Sequence, residues 1–226
     1  DQSVTLTITD NESAPTVTLG TSATSVAENG SDLTLTATLS VETYADVIVT
    51  LTGSGTSTAG TDYASLSTIT ISTGNTSGTT TFNPTNDSIY EGSETAIIAI
   101  TNVAGGSAEE SGNQSETITI TDSLAAPTVT LTTSASTVSE KASDLTLTAT
   151  LNRSTYETVT VTLSTSGTST AGTDYASLSS ITISAGSTAG TTAFNPTDDT
   201  LFENSETAII AIDTVSGGGA TESGTQ

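Results

Sequence analysis

Carboxylates are the side chains of this chain whose number and spacing could do chemistry. Glu28, Asp62, Asp87, Glu91 and Glu94 fall in the gaps between apolar stretches of the first half, and Asp122 follows its last stretch. At a constant offset of 112 residues (174 − 62) the second half supplies Glu140, Asp174, Asp199, Glu203 and Glu206, with Asp198 beside them. Carboxylates that converge repel one another unless a cation sits among them. With no His and no Cys in the chain, the donors are all hard oxygens, which points to calcium, an ion that takes six to eight oxygens in loose geometry. Magnesium is the poorer match, because it demands a near-ideal octahedron and keeps its waters.

The same composition argues against other chemistries. A Ser nucleophile has no His to activate it. A carboxylate pair working on sugars needs a cleft with aromatic platforms, and three Phe and five Tyr in 226 residues offer little. The expectation is therefore a non-enzymatic protein. Lys141 and Arg153 stand against 25 acids for a formal charge of −23, which leaves nothing to neutralise nucleic-acid phosphates or an anionic membrane. No apolar run approaches the ~18 residues of a membrane span, and there is no basic, apolar signal segment.

The acids must be positioned by a repeated scaffold. Ser54 to Ser67 recurs letter for letter as Ser166 to Ser179. A period of 112 residues is a whole domain rather than a solenoid unit. Within the first copy, apolar and Thr residues alternate with the period of a half-buried strand around Pro15–Leu19, Leu33–Leu39, Val47–Leu51, Ile69–Ile71, Thr79–Phe82, Ala96–Ile100 and Thr117–Thr121. Gly, Ser, Asn or Asp punctuate the gaps, and no stretch sustains a 3.6-residue period. Seven short strands in about 110 residues have the pattern of an Ig-like β-sandwich. If successive strands alternate direction, loops one, three and five and the chain's exit share one pole, which gathers Glu28, Asp62, Asp87, Glu91, Glu94 and Asp122. Phe82, Phe194, Tyr63 and Tyr175 read as packing residues.

Ser3–Thr9 has the same alternation and falls, at the 112-residue offset, on Ser115–Thr121. The expected organisation is thus the last strand of a preceding repeat over 1–12, a first complete repeat over 13–125, and a second over 126–226 that lacks its final strand. The absent initiator Met and the mid-repeat ends suggest an excerpt from a longer protein.

The motifs together resemble the Calx-beta domain family. They are Val26-Ala-Glu28, Gly55 to Tyr63, Ile69 to Gly74, the acidic loops from Asn86-Asp87 to Glu94 and from Asp198-Asp199 to Glu206, and the closing Thr119-Ile120-Thr121-Asp122. The resemblance implies all-β architecture, two tandem seven-stranded Calx-beta sandwiches arranged end to end, and calcium held by the acids named above. It adds Asn86, where the family has an Asp, and Asp10, whose Asp10-Asn11-Glu12 ending is fuller than that after Asp122. It also implies extracellular use in cell-surface or secreted proteins.

Topology suggests that each calcium site lies at a domain junction, next to the short linker Asp122–Pro127. The expected function is a calcium-rigidified spacer of a long bacterial adhesin, its partners being neighbouring repeats of the same chain. One alternative is a self-assembling filament module, in which residues 2–10 complete the second copy of another molecule by donor-strand complementation. Another is a ligand-binding adhesion module, disfavoured by the lack of an aromatic cluster.

Overall fold

The computed structural model describes residues 2–224. Residues 1, 225 and 226, which bound the expected segments 1–12 and 126–226, lie outside the described residues. All regular structure among the described residues is β. The chain divides into two compact units, one formed by 1–86 with 94–121 and the other by 87–93 with 122–226.

Unit 1 is built from β1 (Thr16–Thr21), β2 (Ser25–Ala27), β3 (Leu33–Leu39), β4 (Val47–Gly55), β5 (Ile69–Ile71), β6 (Ser77–Phe82), β7 (Ser93–Ala104), β8 (Glu109–Glu110) and β9 (Ser115–Thr121). One sheet runs β6-β3-β1-β8 and the other β2-β9-β7-β4-β5. The two-residue period decides which faces meet. In β3, Leu33, Leu35, Ala37 and Leu39 are buried, while Thr34 and Thr38 face water. Ile98 on β7 and Ile118 and Ile120 on β9 join the same core. Two short strands are additional to the seven expected: β8, parallel to β1, and β2, parallel to β9 with Val26 opposite Ile120. Neither is long enough to show a period.

Unit 2 repeats the plan with β10 (Thr128–Thr133), β11 (Leu145–Leu151), β12 (Val159–Gly167), β13 (Ile181–Ile183), β14 (Ala189–Phe194), β15 (Ala208–Ser216) and β16 (Thr221–Glu222). Its sheets run β14-β11-β10-β16 and β13-β12-β15. Counterparts of β2 and β9 are missing among the described residues, and Val138, equivalent to Val26, is 37% exposed rather than 8%.

The leading segment carries no strand. Residues 3–9 alternate as a strand should, yet they form none, and Val4, Leu6 and Ile8 are 86–97% exposed. Alternation makes a segment competent for a strand, but a neighbour must supply the hydrogen bonds.

The Ser54–Ser67 segment is tied to residues 83–85 through the Ala64 N–H to Asn83 O and the Thr85 N–H to Asp62 O. Tyr63 is buried and stacks on Phe82 at 4.8 Å between ring centres. Tyr175 and Phe194 repeat the pair at 4.8 Å. These rings are packing residues, as read from the sequence.

Candidate metal centre

In unit 2, Glu140, Asp199 and Glu203 each offer a carboxylate oxygen within 4.8 Å of the others. Two further acids act on them. The Glu203 carboxyl is raised above its ordinary value of 4.5, first by loss of solvent, then by the negative charges of Asp174, Asp199 and Glu140. Glu206 is raised in the same direction by loss of solvent, by Asp174 through charge and a hydrogen bond, and by Glu203 and Glu140. Five acids from three loops therefore crowd one region, with Lys141 lining the same cleft. Such crowding of hard oxygens fits a divalent cation of the calcium type.

Local structure explains why these loops point there. The Thr170 backbone N–H donates to Asp174 Oδ2 at 2.5 Å, closing the loop on its own carboxylate. Gly172 lies within this turn at φ +87°, a conformation that side chains resist. Farther along, the Leu201 N–H donates to Asp199 Oδ1 at 2.7 Å and fixes the start of the 198–206 loop. Asp198 is exposed on the same loop and lines the adjoining cleft.

Unit 1 places its equivalents more deeply. Asp62 and Glu94 bring carboxylate oxygens within 4.8 Å of one another. Asp62 is buried, and its Oδ2 accepts from the Thr58 N–H at 2.5 Å. Burial, with the Asp62 charge alongside, also raises the Tyr63 hydroxyl above its usual 10.0. Glu28 is buried directly after β2, where its N–H donates to Thr121 O at 3.0 Å. Glu140, its equivalent, is exposed. In unit 1, β2 pairs with β9 and seats the Glu that follows it.

The remaining expected ligands sit as follows. Asp122 belongs to unit 2, where its Oδ2 accepts from the N–H groups of Glu91 at 2.6 Å and Gly92 at 3.2 Å. Its Oδ1 accepts from the Leu124 N–H at 2.7 Å. Asp87 accepts from the Ile89 N–H at 2.7 Å, and Asn86 is exposed next to it. Asp10 stands in the exposed leading segment, where hydrogen bonding with Glu12 holds its carboxyl below its usual value and Glu12 above.

Sequence reasoning passed over the backbone donors of Thr58 and Thr170. The signal was available: Thr-x-Gly-Thr-Asp places a Gly between an Asp and the N–H four residues before it. It also passed over the role of β2 in seating Glu28, which three residues cannot advertise.

These features define a class: tandem two-sheet β domains whose loops carry acids to a shared region. The chain belongs to the Calx-beta domain family, whose model matches residues 10–124 and again 122–224. Among solved structures it is similar to CBD12 from CALX1.2, at 16% identity and a TM-score of 0.40, with 85% of this chain and 77% of that chain covered. It is also similar to the apo-form Calx CBD1 domain, at 18% identity and a TM-score of 0.40, with 47% of this chain and 97% of that one covered. A third is the calcium binding domain CBD12 of CALX1.1, at 16% identity and a TM-score of 0.40, with 84% of this chain and 77% of that chain covered. No curated protein sequence matches the chain.

Proposed function

We propose that the chain is a calcium-binding, non-catalytic tandem that serves as a calcium-stiffened spacer in a cell-surface or secreted adhesin. The observation that carries the calcium reading is the meeting of Glu140, Asp199 and Glu203 within 4.8 Å, with Asp174 and Glu206 acting on the same charges. In unit 1, Glu28, Asp62 and Glu94 are the corresponding ligands. Calcium supplies the positive charge that these carboxylates lack, while the chain's own groups orient the oxygens through the Thr58 and Thr170 N–H donors.

The stiffening part rests on Asp122. This residue opens the 122–127 linker and is bonded to the backbone of Glu91 and Gly92, so an ion taken up by the acidic loop restrains the linker's first residue. A spacer also suits a surface of −23 charge that is rich in Ser and Thr and poor in aromatic rings. Affinities of about 10⁻⁴ to 10⁻³ M match extracellular calcium modules.

Calorimetric titration tests binding, with Glu203→Gln and Glu206→Gln expected to weaken the unit 2 site. No calcium heat at millimolar concentration would end the calcium reading. X-ray scattering with and without chelator tests stiffening separately, and identical profiles in the two conditions would leave a calcium binder that is not a calcium-stiffened spacer.

A further inference from the structure

We propose that Asn29-Gly30 is a self-modifying site: in the folded chain Asn29 loses ammonia through a succinimide to give aspartate and isoaspartate, and the isoaspartate releases the turn that follows β2. This goes beyond the calcium reading and does not depend on it.

The pair is the only Asn-Gly in the sequence. The reaction needs the backbone nitrogen of the following residue to reach the Asn side-chain carbon, and Gly opposes that approach least because it has no Cβ. Here the fold imposes the Gly, since a Cβ on residue 30 would stand 2.8 Å from Ala27 O and 2.9 Å from Val26 Cγ2. Asn29 itself is exposed, so water and base reach its amide. Unit 2 provides the contrast in the same turn. There the Ala142 N–H donates to Ser139 O at 2.9 Å, as the Gly30 N–H donates to Ala27 O at 2.7 Å, but the pair is Lys141-Ala142, which has no amide side chain to lose.

While the turn is closed, the hydrogen bond to Ala27 O holds the attacking nitrogen, so the reaction runs through the open turn. Opening is cheap at this place. β2 has three residues and is the terminal strand of its sheet, next to β9, and such short edge elements open locally at far less than the free energy of global unfolding. In the open turn the Gly30 nitrogen bonds to Asn29 Cγ, its proton passes to solvent, the Cγ–Nδ2 bond breaks and ammonia leaves. Water then opens the ring. Cleavage of the bond from Gly30 N to Cγ gives aspartate, and cleavage of the bond from Gly30 N to the main-chain carbonyl carbon gives isoaspartate; one water enters, one ammonia departs, and nothing is oxidised or reduced. In isoaspartate the chain runs through Cγ and is one atom longer between residues 29 and 30. A turn closed between Ala27 and Gly30 at 2.7 Å has no place for that atom. The turn therefore stays open, and Glu28, whose N–H donates to Thr121 O at 3.0 Å, loses its seat.

Peptide mapping by mass spectrometry of the 226-residue chain, held for weeks in mildly alkaline buffer, is the test. The Asn29 peptide should gain one dalton about tenfold faster than any other Asn peptide, that of Asn204-Ser205 included, and should accept labelled methyl groups from an isoaspartyl methyltransferase. Asn29→Gln keeps an exposed amide but must close a larger ring, so it should remove both signals. In the aged chain, amide exchange should speed up at Glu28 and Thr119, whose N–H groups donate to Thr121 O and Thr24 O, while Ala142 exchanges as in the fresh chain. An Asn29 peptide that reacts no faster than the others, or that reacts only in urea, overturns the proposal. Isoaspartate at residue 29 with exchange unchanged at Glu28 and Thr119 overturns the released turn.

Discussion

Replacing Ile98 and Ile210 by Ala, one at a time, asks how far β9 completes a core. The two residues are equivalent in the repeat, but Ile98 is fully buried under β9 while Ile210 is half-buried on the open cleft. Each substitution removes three carbons. At about 0.8 kcal/mol per buried carbon, the transfer term at Ile98 is about 2.4 kcal/mol, and the closed cavity left behind raises the loss to about 3–4 kcal/mol. At Ile210 part of the side chain already meets water and the space beside it is open, so the loss is about 1–1.5 kcal/mol. The difference of about 2 kcal/mol is large against the stability of a domain of this size. Urea unfolding followed through resolved amide resonances of each unit measures it, because a chain of two units does not melt as one. Equal losses at the two positions would refute the reasoning.

Gly55 and Gly167 adopt φ of +115° and +116°, and a Cβ there would collide with the carbonyl oxygens of Thr95 and Thr207. Ala at either position should cost about 2 kcal/mol or more in urea unfolding, whereas Gly20→Ala, with nothing within 4 Å of the added carbon, should stay within ~0.5 kcal/mol of the parent. Asp122→Asn keeps one acceptor oxygen where three N–H donors now find two, so it should cost about 1 kcal/mol and speed amide exchange at Glu91 and Gly92. In chelator, unit 2 should lose stability as pH rises above the ordinary carboxylate value of 4.5, because Glu203 and Glu206 hold their protons more tightly folded than unfolded. Glu203→Gln should flatten that slope in thermal melts, and calcium should remove it.

Much of this was legible in the chain itself. The exact recurrence at 112 residues set the domain count, and Thr–apolar alternation in 33–39 and 145–151 set the strands and their buried faces. A charge of −23 with neither His nor Cys left only hard oxygen donors for any ion. These are local or compositional properties, and a strand's period or a carboxylate's hardness does not depend on what lies across the fold.

Tertiary structure decided what equivalent residues become. Residues 3–9 and 115–121 are nearly the same sequence, yet only the second is a strand, because a strand exists through its neighbour's hydrogen bonds. Glu28 is buried directly after β2, whose seat is β9, a segment 94 residues (120 − 26) farther along the chain. Burial is a property of pairs of segments far apart in the chain.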